Sequence, residues 1–501
     1  MRINTQYQTE LKKTRINQQT PQKFEGVGDA LTNALTLCDA YPMVGVSVID
    51  GATSIVPRTI IDAQTHRFAA LETFRRESFG LIVNCLIPSF IVLGVGKLLQ
   101  KAVLGKEFKH LDMANVWANQ DNIEMLGNKF KQANASNALT KNEEFVKSVL
   151  YSTQGLDGKN YKKFADYDLS SEIKTLAKCI DSNDKNSKKV IQSVYKSIVD
   201  KTKAAETLKI DGKETSSNLS MLLRDTVALG KKFNDGKVIK NLDGFKKVAI
   251  KLLNTKSLAG MGIIIPLAMS VQPINRMITR KNSGVKGAPI YKDFTDKDKK
   301  ITINHDKEEL LKSKFVSGGI LTGLTILSSL KMPSLKMFQF EGLFPTMNQC
   351  RWISNATFVS RVFASEDKNE LRETTIRDGL TFASLYFLGD YISKGLATII
   401  EKVNPKVKLL NHKVQDDSKN IFQKAKNWVT NTKLKSFDEV TGKSTKNLRS
   451  LCQISHLGVA MVLLGIVFPK MLRAQTEKNR EKELSQLQLE QTGDVKNNDK
   501  H

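Results

Sequence analysis

LETFRRESFGLIVNCLIPSFIVLGVG, residues 71–96, decides how the rest of the chain is read. It opens as a charged helix end, with Glu72, Arg75, Arg76 and Glu77. It then runs through 78–96, 19 residues, without a charge. That length is close to the roughly 20 apolar residues that cross a bilayer core at about 1.5 Å rise per residue. The opening is echoed far downstream. Glu72, Thr73, Arg76 and Glu77 map at one constant offset onto Glu373, Thr374, Arg377 and Asp378, and a second apolar run follows.

The chain is long enough for several domains, and its 40% apolar and 26% charged content is ordinary for a water-soluble protein. Membrane character is therefore expected in a few short segments between polar regions. The net charge of +26 comes mainly from lysine, because only 16 of the 77 basic residues are arginines. Scattered lysine suits a solvated surface or anionic lipid head groups. Basic and aromatic residues do not alternate as a base-stacking platform would require, so nucleic acid is not an expected partner. The five cysteines form no CxxC pair and are odd in number, which argues against a disulfide framework. The polar N-terminus is not a cleavable signal peptide.

The expected fold class is all-α: a multi-pass helical membrane protein with a polar, lysine-rich helical insertion. Residues 1–28 read as a disordered terminus. Residues 29–104 form an amphipathic arm and a hydrophobic helix at about 79–99. Residues 105–256 are the insertion, where Val190, Ile191, Val194, Tyr195, Ile198 and Val199 recur at helical spacing. Two hydrophobic helices, about 257–275 and 315–331, lie in 257–345, where Phe-rich 332–344 suits an interface. A second arm and helix (about 379–400) fill 346–400. A polar linker, 401–449, leads to a last hydrophobic helix at 450–473 and a polar tail, 474–501.

The arms raise the question of an internal repeat. Ala52, Thr53 and Arg58 also match Ala356, Thr357 and Arg361 once a short gap is allowed, and eight of the sixteen arginines fall in the arms. Such concentration suits buried ion pairs or phosphate contact. Chance similarity between short biased segments explains the match as readily. With every window spanning, three crossings separate the arms and the repeat is inverted, as in many transporters. With one window not spanning, that analogy fails.

The candidate charged residues are therefore Glu72, Arg76 and Glu77 in one arm and Glu373, Arg377 and Asp378 in the other. Asp390 and Lys394, four apart on one helix face, are candidate intramembrane charges. A solvated helix end is the plainer reading of both sets. No catalytic, cofactor or metal site is expected. Thr441-Gly-Lys-Ser-Thr445 lacks the upstream glycine of a phosphate loop, since Phe437 stands there. The six histidines are scattered. The expected function is a non-enzymatic membrane protein that organises lipid or partner proteins. The alternatives are a transporter-like protein on the inverted repeat and a soluble or peripheral basic helical protein.

Overall fold

The computed structural model describes residues 27–472 except 41, 66, 134–137, 183–186, 284–306, 330–334 and 414–419, and scattered positions in 474–485. Most of the expected disordered terminus (1–28), much of the connector after 283 and most of the tail lie outside the described residues. About 80% of the described residues are helical. Five helices are long and apolar enough to cross a membrane: Met43–Gln64, Ala70–Val103, Leu242–Asn282, Lys307–Ser329 and Lys443–Leu472.

The molecule has two parts, a bundle and a polar lobe seated on one of its ends. The chain enters through α1 (Val27–Ala40), α2 (Pro42–Asp50) and α3 (Val56–Thr65), then climbs through α4 (Arg67–Leu81) and α5 (Ile87–Val103). The lobe follows. Its helices are α6 (Gln120–Gln132), α7 (Ala138–Tyr151), α8 (Ser170–Asp181), α9 (Ser187–Thr202) and α10 (Leu219–Phe233). Their apolar stripes close on one core, in which the rings of Phe130, Phe145 and Phe233 pack edge to face or tilted. Strands β1 (Thr153–Asp157), β2 (Asn160–Lys163), β3 (Leu208–Ile210) and β4 (Lys213–Glu214) form an antiparallel sheet in the order β2-β1-β3-β4. These strands are too short to show as alternation in the sequence.

The expected insertion boundary at 256 moves to 241, because α11 (Leu242–Ser283) is one continuous helix despite Pro266 and Pro273. After it come α12 (Lys307–Ser329), α13 (Met347–Ala364), α14 (Lys368–Ala383) and α15 (Gly389–Val403). The described residues of 404–442, expected as a linker, are folded. They contain β5 (Leu410–His412), α16 (Ile421–Asn431) and β6 (Thr432–Leu434), and β5 pairs with β6. They dock on the lobe: His412 N donates to Gly158 O at 2.6 Å, and Gly158 N donates to Asn411 Oδ1 at 2.8 Å. The Glu439 carboxylate accepts from Ala205 N at 2.9 Å and Glu206 N at 3.1 Å. The last helix, α17 (Lys443–Ala460), continues through a π-helical segment to Val467.

Cross-links between distant residues give each helix its direction. At the lobe end, Lys256 of α11 donates to Val116 O at 2.7 Å, and Phe340 N donates to Ser257 Oγ at 3.1 Å. There too Lys336 pairs with Asp121 at 2.7 Å and Arg449 of α17 pairs with Asp39 at 2.7 Å. At the far end, Thr73 donates to Asp62 at 2.5 Å, Arg75 donates to Asn275 at 3.3 Å, and Arg276 and Arg280 pair with Glu370 and Glu366. Seven passes therefore run between the ends among the described residues, alternating in direction. The two beyond the five apolar helices are α13 and α14–α15. The segment 335–344, expected at an interface, instead packs on the lobe, where Phe340 is fully buried against Trp117.

The pass along α13 adds one to the number of helical passes between the arms. Four passes, not three, separate Glu72 from Glu373. Both arms start at the far end and run toward the lobe side by side. Residues related by the constant offset lie on helices of the same direction, so the inverted arrangement is not met.

Candidate functional site

Hydrogen-bond geometry in four helix segments is of the π type: Gly51–Ile55, Ile82–Leu86, Ser384–Leu388 and Met461–Val467. In each, the N–H closing the turn reaches back five residues: Val56 to Gly51, Ile87 to Ile82, Gly389 to Ser384 and Phe468 to Leu463. At 82–86 the cause is legible. Pro88 has no N–H to give Asn84 O, so the regular ladder cannot continue there. Each π turn rotates the side chains around it by one extra residue. Asp50, Asn84, Cys85 and Leu385, in or beside these turns, all line one cavity of about 60 Å³.

That cavity lies on a buried seam of charge where the two arms meet. Arg361 of α13 bridges the arms: it donates to Glu77 Oε2 at 3.0 Å and to Asp378 Oδ1 at 3.1 Å. Arg377 Nε donates to the same Asp378 oxygen at 3.1 Å, and Arg58 Nη1 lies 3.8 Å from Glu77 Oε1. The side chains are 10% (Arg58), 11% (Glu77), 12% (Arg361) and 1% (Asp378) exposed. With Asp50 on the cavity wall, three guanidinium groups face three carboxylates. The balance is what allows them to be buried, because an uncompensated charge in such a place costs several kcal/mol. Arg58 Nε, Arg361 Nε and Asn84 Oδ1, all from cavity-lining residues, have no hydrogen-bond partner among the described residues, nor does Asp378 Oδ2. A volume of 60 Å³ admits a few water molecules.

The arm residues found by sequence matching do not all gather here. Glu77, Arg377 and Asp378 do. Glu72 is buried at the far end, 3.6 Å from Arg75, and accepts a hydrogen bond from Thr279. Arg76 and Glu373 are half-buried on their own helices, outside the bridged core. Asp390 and Lys394 are paired at 2.9 Å but differ in burial. Asp390 is 68% exposed. Buried Lys394 reaches out of the bundle to Thr432 O at 3.2 Å and Val429 O at 3.4 Å. The polar segment between α15 and α17 supplies these carbonyls, a service that one helix's spacing does not announce.

Sequence matching aligned Arg58 with Arg361 but did not show that Arg361 binds both arms. It also passed over Lys256, which is 1% exposed and donates to Ala114 O at 3.3 Å and Val116 O at 2.7 Å, with its ammonium 3.9 Å from the Trp117 ring centre. In the sequence it is merely the lysine before an apolar window. Gly442, in the segment that resembles half a phosphate loop, has φ +85° and starts α17 as an ordinary turn glycine. Among the described residues no group of His, Cys, Asp and Glu is placed to hold a metal ion. No family model, no curated protein and no solved structure matches this chain.

Proposed function

We propose that the chain is a multi-pass integral membrane protein without enzymatic activity, one that organises lipid or partner proteins from a rigid bundle carrying its polar lobe on one side. The observation that carries the membrane reading is the distribution of exposed apolar side chains. Phe90 is 73% exposed, Leu98 79%, Phe315 63% and Ile399 61%, all on bundle helices. In the lobe, 104–241, only Leu139 stands out among the described residues, at 39%. A water-soluble protein does not leave a girdle of that kind around one half and a closed core in the other. The seam favours a fixed bundle: its carboxylates are held by arginines from three helices, and its cavity is small.

A transporter-like reading keeps one observation in its favour, the unpartnered polar atoms of Arg58, Asn84 and Arg361 at the cavity. The loss of the inverted arrangement removes its original support. Carbonate extraction of membranes from expressing cells tests the membrane reading, with retention in the pellet expected. Release into the supernatant would turn the apolar helices into core helices of a soluble or peripheral protein. Proteoliposomes with a sealed pH dye, and uptake of labelled chloride and glycine, separate the two functional readings. No flux above empty vesicles is expected. Flux that Asp378→Asn abolishes would replace the organiser by a transporter.

A further inference from the structure

Helix α16, IFQKAKNWVTN, projects from the lobe end with no buried residue. Ile421 is 80% exposed and Phe422 85%, among the most exposed large apolar side chains of the described residues. They are not scattered. At about 100° per residue, Ile421, Phe422, Ala425, Trp428 and Val429 fall within one arc of roughly 120°, and Lys424 and Lys426 stand just beyond its two edges. Such a helix presents an apolar floor and two basic rims to the same side.

Its height on the bundle is fixed by contacts. Trp428 Nε1 donates to Thr398 Oγ1 at 3.0 Å, and its ring lies 6.4 Å from that of Tyr391. On α15 this level lies in the last two turns, whose exposed apolar side chains, Ile399 (61%) and Val403 (80%), run to the lobe-side end of the helix. The neighbouring helix marks the same level. Ser393 Oγ donates to Cys452 O at 3.1 Å, and the exposed apolar side chains of α17 begin at Leu451. α16 is therefore attached beside the lobe-side end of the girdle. Tyr391 and Trp428 mark the boundary as aromatic belts do.

We infer that α16 is an interfacial anchor. It lies in the head-group layer beside the bundle, with Ile421 and Phe422 in the upper acyl chains and Lys424 and Lys426 on anionic lipid phosphates. Continuity with the girdle selects lipid over a protein partner, and the paired lysines match head-group charge. The inference rests on the membrane reading, and the experiment separates the two. Trp117 and Trp352 are replaced by Phe, Trp428 is kept because its hydrogen bond to Thr398 attaches α16, and the emission of that background is subtracted; one reporter is then introduced at a time: Phe422→Trp, Ile421→Trp or, on the opposite face, Gln423→Trp. Each protein is reconstituted into vesicles of phosphatidylcholine and phosphatidylglycerol whose acyl chains are brominated near the head group.

The expected result is loss of most emission for the reporters at 421 and 422 and little loss at 423. Lys424→Glu with Lys426→Glu is expected to weaken quenching at 422 in these vesicles. Equal quenching at 422 and 423, or none at either while the protein stays in the carbonate pellet, overturns the anchor and leaves the membrane reading standing. Release by carbonate overturns both. Because 421 and 422 already face outward, neither reporter disturbs a packed contact, and a pair of reporters guards against one failed preparation.

Discussion

Arg361 holds two carboxylates from different arms, and its loss leaves both Glu77 and Asp378 short of a counter-charge. Arg361→Met is expected to destabilise the bundle by about 3–5 kcal/mol, the range for breaking a buried pair from one side. Graded unfolding in mixed detergent micelles measures it. Adding Glu77→Gln and Asp378→Asn should recover much of that loss, since it is the stranded charges that cost most. A second residue sets a pH dependence in the polar part. Burial, with Asp225 nearby, pushes the Glu341 carboxyl up to about 7 from its ordinary 4.5, against the opposing pull of Arg224 and the hydrogen bond from Asn119 Nδ2 at 3.0 Å. A raised acid favours folding in its protonated form. Its contribution is complete below about pH 4.5 and is lost as pH rises through about 7. Hydrogen exchange at the contact between 335–344 and the lobe should therefore speed up across that window beyond its intrinsic pH dependence, and Glu341→Gln should flatten the excess. That Arg58 and Arg361 are counterparts was legible from their neighbours in sequence. That one of them bridges both arms was not, because the bridge joins residues 284 positions apart.

At the level of elements, glycine sets how closely helices approach. A Cβ on Gly465 would lie 2.7 Å from Thr53 O and 2.7 Å from Pro57 Cβ, so the π segment of the last helix touches the backbone beside α3. Gly465→Val should cost about 1–3 kcal/mol through overpacking, read as a lower unfolding midpoint in detergent. Unchanged stability would mean that these helices separate without penalty. The apolar windows were plain in the sequence, since charge-free runs of 16 to 20 residues need no partner to be recognised. Helix α13 was not. Arg351 and Arg361 break its apolar run, and only neighbouring helices show where those charges go: Arg361 to the seam, Arg351 to Asn348 at 2.7 Å and toward the Tyr386 ring.

For the whole molecule, the lobe and 404–442 belong to the same end although about 160 residues separate them in the chain. In a cysteine-poor background, new cysteines at exposed Lys159 and Lys406 should react with an impermeant maleimide from one side of sealed vesicles, and one at exposed Lys281 from the other. Labelling of Lys159→Cys and Lys406→Cys from opposite sides would overturn the parallel course of the arms. The small sheets of the lobe and of 404–442 escaped the sequence because two to five residues per strand leave no periodic signal.

By itself the sequence determined which segments are apolar enough to be helices of the bundle, where the lysine-rich lobe is inserted and which charged residues recur in the two arms, because composition and spacing are local properties. The direction of the arms, the passes along α13 and α14–α15, the closure of the seam by Arg361 and the seating of 404–442 on the lobe were decided by tertiary structure alone. Each depends on a buried charge or backbone group finding its partner on another helix, and that pairing has no fixed separation along the chain.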